Sequence, residues 1–329
     1  MTLVGEGEHV YEWVEDWAGV PDSENARTGW AHPGMVVTEA GYIITFHQGQ
    51  PQVLVFDQPG NLVRSWEMDL VEGHGLTLVK EDGLEYLWFA DPGRKRSQEH
   101  GYQYPSGGRI SGQVVKTDLE GRRIFSLTQP DLPAYQQGNY CPTSVAVAEE
   151  HLGGNGDVWV ADGYGQSYVH RFDRGGRYLS SINGEEGQAG AFNCPHGIWI
   201  DRRKPEAELY IADRGNRRIQ VYDLNGKFKR AFGSEFLTSP SAFAAAGDLL
   251  IVAELRARLV LLDLSDHLIG YLGDNTSVAE VEGWPNVPSH LVEAGKFNSP
   301  HGIATDEWGN IYVAEWLIGG RFIKLVKSN

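Results

Sequence analysis

PHGIWIDRRKPEAELYIADRGNRRIQVYDLNGKFKRAF, residues 195–232, decides the fold. It reads as four short strands in succession: an alternating apolar run after Pro-His-Gly, a second run ending in Ala-Asp, then RIQVYD and KFKRAF on either side of an Asn-Gly turn. Alternation at period two with Gly, Pro and Asn at the breaks marks antiparallel strands joined by tight turns. The same unit recurs along the chain. It runs as HPGMVV…YIITFH (32–47), HGLTLV…YLWFAD (74–91), PTSVAV…DVWVAD (142–162), PHGIWID…LYIAD (195–213), PSAFAA…LLIVAE (240–254) and PHGIATD…NIYVAE (300–315). The first five copies are each followed by two further strands, and the sixth by RFIKLVK (321–327) alone. Repeats of four antiparallel strands are the pattern of a β-propeller, here an all-β, six-bladed one.

The sixth copy lacks a fourth strand. HVYEWVEDW (9–17) is strand-like, precedes the first copy, and is expected to supply it, closing the ring so that the terminal edges are paired. Residues 1–329 therefore read as one domain. Two polar, Gly/Pro-rich loops interrupt the rhythm, 91–112 inside the second copy and 273–297 between the fifth and sixth.

Composition agrees with this. Forty-one glycines with 10 Trp, 14 Tyr and 12 Phe suit short pleated strands between turns. Forty-four acidic against 28 basic residues leave a net charge of −16, which argues against nucleic acid or an anionic membrane as partner. No basic n-region with an apolar stretch is visible at the start, and no apolar run is long enough to span a bilayer. With only Cys141 and Cys194 there is no disulfide framework, so the expectation is a cytoplasmic protein; a secreted one shorn of its leader would read the same.

His74, His196 and His301 occupy one slot, the residue before the first glycine, in the second, fourth and sixth copies. Neighbouring blades of a six-bladed ring differ by about 60°, so alternate blades set equivalent residues about 120° apart around the axis. The slot begins the innermost strand, and three imidazoles converge there on the axis. Three His with an open position is the ligand set of a catalytic zinc site, and imidazole also suits other divalent first-row metals. A repeat consensus in which His bonds a neighbouring blade would give the same letters. The remaining slots, however, hold Pro33, Thr143 and Ser241, so His is no general requirement of the position.

Antiparallel pairing brings the end of strand two beside the start of strand one. Residues after each Ala-Asp should therefore surround the metal: Gly163 and Tyr164, Arg214, and in the first copy His47 and Gln48. A phenol near a divalent cation ionises more readily and can act as a base, and a guanidinium can hold a carboxylate; packing and inter-blade pairing are the plainer roles for both. The recurring acids Asp91, Asp162, Asp213, Glu254 and Glu315 are too regular to be catalytic and are assigned to local turn hydrogen bonds.

GHGLTLV, CPTSVAV…VADGYGQS, FNCPHGIWID…IADRGNRRIQ and FNSPHGIATD…IYVAE resemble, in order, the NHL-repeat six-bladed propellers and within them the catalytic domain of peptidyl-α-hydroxyglycine α-amidating lyase. The resemblance covers most of the chain from about residue 30, apart from the two long loops. It implies zinc on His74, His196 and His301, Tyr164 as base with Arg214 beside it, and cleavage of a carbinolamide to an amide and glyoxylate. The chain departs from the family at three places. Gln48 stands in Phe46-His47-Gln48-Gly49 where the family has arginine, and a neutral amide does not balance an anion as guanidinium does. Gly302 follows His301 where the family has a calcium-ligating Asp, and Gly165 stands where it has a disulfide cysteine. Arg94, Lys95, Arg96 and Arg109 on the first long loop are the cations that could replace the lost arginine. A metal-dependent lyase on a small or peptide-like substrate leads. A hydrolase or lactonase using metal-bound water and a non-enzymatic binding scaffold remain open.

Overall fold

The computed structural model describes residues 1–105 and 110–328. Six sheets of sequential antiparallel strands make a six-bladed β-propeller. The chain divides into two compact units: Met1–Glu67 with Ser97–Tyr102 and Ser241–Asn329, and Met68–Arg96 with Gln103–Pro240. Arg109 lies outside the described residues.

The second unit carries three blades. Blade two is Gly75–Glu81, Leu84–Asp91, Gln113–Asp118 and Arg123–Leu127. Blade three is Ser144–Val147, Val158–Ala161, Val169–Phe172 and Tyr178–Ile182. Blade four is Pro195–Asp201, Glu208–Asp213, Arg218–Tyr222 and Phe228–Phe232. Second strands such as Glu208–Asp213 are buried on both faces, whereas fourth strands such as Phe228–Phe232 alternate half-buried and exposed. Trp88 packs with Val114, Val145 and Val160, and Trp159 with Ile198, Leu209 and Ile211, so each indole joins two blades. Cutting such a side chain to Ala costs about 3–5 kcal/mol.

The first unit carries the other three. Blade one is Met35–Val37, Ile43–Phe46, Gln52–Phe56 and Leu62–Glu67. Blade five is Pro240–Ala246, Leu249–Glu254, Arg258–Leu262 and Leu268–Leu272. In blade six, Pro300–Thr305, Ile311–Glu315 and Arg321–Lys327 are completed by Tyr11–Val14 from the N-terminal segment. Tyr11 pairs with Lys327 and Val14 with Lys324, which is the expected closure. Thr2–Val4 then adds a fifth strand that the sequence did not announce, its three residues being too few to display alternation. Among the described residues no helix is long and apolar enough to cross a membrane.

Candidate metal centre

In the second unit, His74 and His196 stand with ring centroids 4.9 Å apart. Both are buried. Thr143, which holds the same slot in the blade between them, ties the two together. Its carbonyl accepts from His74 Nδ1 at 2.7 Å, and its hydroxyl donates to the His196 carbonyl at 2.8 Å. A carbonyl only accepts, so the His74 hydrogen sits on Nδ1 and the Nε2 lone pair is left for a ligand. This backbone partner is the orienting contact that metal-binding histidines ordinarily have.

The same carbonyl explains the glycine after the histidine. A Cβ at Gly75 would lie 2.5 Å from Thr143 O, and one at Gly302 would lie 2.3 Å from Pro33 O. A neighbouring blade thus supplies both the acceptor for the imidazole and the reason no side chain can follow it. A side chain at position 302 would therefore require the Pro33 backbone to shift.

Buried acids fix the backbone just before each slot. Asp91 accepts from the backbone N–H groups of Val71 and Glu72, Asp162 from Cys141, Asp213 from Asn193, and Glu315 from Asn298 and Ser299. The sequence assigned this series to local turns. Asp91 and Asp162 do cap their own turns, at Gly93 and Gln166, but the second set of bonds spans about twenty residues and anchors the start of strand one. Glu254 bonds Arg258.

Tyr164 joins the histidine pair. Its hydroxyl lies 3.0 Å from His196 Nε2, 3.3 Å from His74 Nε2 and 3.5 Å from Arg214 Nη1. Asp162 builds this turn, and Gly163 lets it close, since a Cβ there would meet Pro195 O at 2.4 Å. Gly165 is likewise placed closely: its Cβ would lie 2.0 Å from Asp162 Oδ1, and Cys141 and Cys194 are not joined in a disulfide. Burial pushes the Tyr164 phenol well above its ordinary value, against the pull of the Arg214 guanidinium. Burial also weakens the charge on Arg214, but contact with Tyr164 and Cys194 outweighs it and holds the guanidinium firmly protonated. Arg214 Nη2 is 3.2 Å from Cys194 Sγ.

In the first unit, His301 is paired with His32, ring centroids 4.3 Å apart, and His301 Nδ1 faces Pro33 O at 3.4 Å. His32 was not among the expected ligands. Aligning the copies on their glycine put Pro33 in the slot and His32 one residue upstream. The signal was the His-Pro-Gly triplet itself, in which the imidazole arrives a position early. Around this pair the chain places indoles: Trp316 lies 5.8 Å from His32 and 5.2 Å from Trp30. His47 and Gln48 hold backbone. His47 Nδ1 accepts from Gly49 and Gln50, and Gln48 Nε2 donates to Ala26 O at 3.0 Å and Gly319 O at 3.1 Å.

His32, His74, His196 and His301 form, among the described residues, a buried group that could hold a metal ion. The donor set fits such an ion: neutral imidazoles with Nδ1 of His74 and His301 set against carbonyls suit a divalent first-row metal.

No protein-family model matches the chain. Human NHL repeat-containing protein 3 is 26% identical over 272 residues, 80% of this chain and 70% of that protein. The probable peptidyl-alpha-hydroxyglycine alpha-amidating lyase of Caenorhabditis elegans is 31% identical over 267 residues, 74% of this chain and 67% of that protein. A solved streptogramin B lyase superposes with a TM-score of 0.58 at 14% identity, covering 97% of this chain and 98% of that one, a likeness of fold.

Proposed function

The chain belongs to the NHL-repeat propeller family that includes the peptidyl-alpha-hydroxyglycine alpha-amidating lyases, and from that premise we propose that it is a metal-dependent lyase cleaving the C–N bond beside a hydroxyl on a small or peptide-like substrate. The observation that carries the reading is Tyr164, whose hydroxyl is held against both His74 and His196 with Arg214 alongside.

In this reading His32, His74, His196 and His301 hold one zinc or other first-row divalent ion. Such an ion supplies polarisation of the substrate hydroxyl oxygen and lowers the acidity barrier of nearby groups. The chain's own residues do the rest. Tyr164, acting as a phenolate, takes the hydroxyl proton as the oxygen becomes a carbonyl, the C–N electron pair leaves with nitrogen, and the phenol returns that proton to nitrogen to complete the amide. Arg214 offsets negative charge on the phenol oxygen during that exchange. Burial makes the Tyr164 phenolate costly, and the Arg214 guanidinium beside it acts in the opposite sense.

The test is glyoxylate and amide release from an N-acyl-α-hydroxyglycine by zinc-loaded protein. Equimolar products are expected. Metal-loaded protein that forms none but opens lactones or esters would transfer the site to a hydrolase using metal-bound water.

A further inference from the structure

We propose that the second unit carries a separate small-molecule site between blades two and three, which takes a single aromatic ring bearing a protonated amine. It lies at the far end of the strand Gly75–Glu81 from His74, roughly 20 Å away along the chain, and is independent of the lyase reading.

The site arises from one missing side chain. The hairpin between third and fourth strands reads Asp118-Leu119-Glu120-Gly121 in blade two, Asp223-Leu224-Asn225-Gly226 in blade four and Asp263-Leu264-Ser265-Asp266 in blade five, but Asp173-Arg174-Gly175-Gly176 in blade three. In blade four Leu224 packs against the cluster that contains Trp159, and a Cβ on Gly226 would meet the Trp159 ring at 3.2 Å. Arg171 holds that hairpin through Asn225 O and Oδ1, each at 3.2 Å. Trp88 is the counterpart one blade earlier, since it pairs with Lys116 as Trp159 pairs with Arg171. There the leucine position holds Arg174, whose guanidinium turns outward to Glu150 at 3.0 Å, and Lys116 pairs with Glu81. The indole of Trp88 therefore lacks the plug that covers Trp159.

What is left is a cavity of about 200 Å3, lined inside by the buried Trp88, Val147 and Val158. An apolar cavity of about 150 Å3 is large enough for benzene, so one substituted ring fits here. Four carboxylates, Glu81, Asp82, Glu149 and Glu150, line it with the two cations Lys80 and Arg174. Glu81, Glu149 and Glu150 are paired with Lys116, Arg202 and Arg174. Asp82, exposed at φ +50° in the turn before Leu84, is among the described residues the member of the four without a paired cation. It is the group placed to meet an amine on a ring seated below.

The full chain, with and without zinc, is titrated calorimetrically with 2-phenylethylamine. Saturable binding with a Kd of about 0.1–1 mM is expected in both forms, an ordinary affinity for a ligand of this size. The neutral 2-phenylethanol should bind about 2- to 5-fold more weakly, the worth of an exposed ion pair, and 3-phenylpropionate more weakly still. Asp82→Asn, which tolerates the positive φ of the turn, should remove the margin of the amine over the alcohol. Arg174→Leu should restore the plug, raising Tm by about 1–4 °C and weakening the amine by roughly 10-fold or more, whereas Arg174→Ala leaves the hole open and keeps the affinity. Failure to saturate by about 10 mM, binding that requires zinc, a preference for 3-phenylpropionate, or an Arg174→Leu variant that binds as tightly as native overturns the assignment.

Discussion

The two units place the same repeat slot in different chemical company. In the second, the turns after Ala-Asp bring a phenol and a guanidinium onto His74 and His196. In the first, the corresponding turns bring Trp316 beside His32 and commit Gln48 to two backbone carbonyls. Both units supply imidazoles held by a neighbouring blade's carbonyl, and among the described residues the second adds Tyr164 and Arg214, groups that can move a proton or hold an anion. A repeat therefore fixes where a side chain stands, and the one or two residues after each Ala-Asp decide what can be done there.

The largest expected break in that comparison is Tyr164→Phe. It should lower kcat by about 10²–10⁴-fold, the usual worth of a general base, while zinc measured by mass spectrometry stays bound. Undiminished turnover would remove the phenol from the mechanism and make the units equivalent. Thr143→Val comes next. It removes the hydroxyl that braces His196 but keeps the carbonyl that orients His74, and should weaken zinc by roughly 10- to 100-fold in competition with a chelator. Ser241→Ala is the counterpart in the first unit, where the hydroxyl donates to Pro300 O at 3.2 Å, and a matching loss of zinc is expected.

A third test concerns the framework beneath Tyr164. Tyr135 Oη is 2.6 Å from both Asp162 Oδ2 and His170 Nε2. Burial pushes Asp162 up to about 6 and His170 down to about 3. These act in opposite senses. The neutral imidazole's contribution is present above its ordinary value of 6.5 and is lost as pH falls toward 3, whereas the Asp162 carboxyl is most favourable when protonated and loses stability as pH rises through 6. In the native chain they largely offset. His170→Gln removes one, so acidifying from about pH 7 to about pH 4.5 should raise the variant's unfolding free energy by roughly 2–3 kcal/mol relative to native, read from urea midpoints. Parallel profiles would refute the opposition.

The smallest effect expected is Gln48→Met. Leaving Ala26 O and Gly319 O without their donor should cost roughly 1–3 kcal/mol of stability with KM unchanged. A risen KM at unchanged stability would return Gln48 to substrate binding.

Blades were legible because alternation and turn residues repeat six times, and the closing strand because blade six lacked one. The three histidines at the glycine-aligned slot stood out by recurrence. His32 was hidden by a one-residue offset, since the bend that brings it level is tertiary and leaves no period in the sequence. Thr143 was noted only for not being histidine; its role depends on a neighbouring blade's backbone, which no local pattern encodes.

Bound metal per chain is the direct measurement. Protein purified without chelator and analysed by elemental mass spectrometry should carry about one first-row divalent ion, and His32→Ala, His74→Ala, His196→Ala and His301→Ala should each lose it while keeping the β-sheet circular dichroism of the native chain. Native protein that stays metal-free after incubation with zinc, or a His32→Ala variant that binds as tightly as native, would contradict a four-histidine centre.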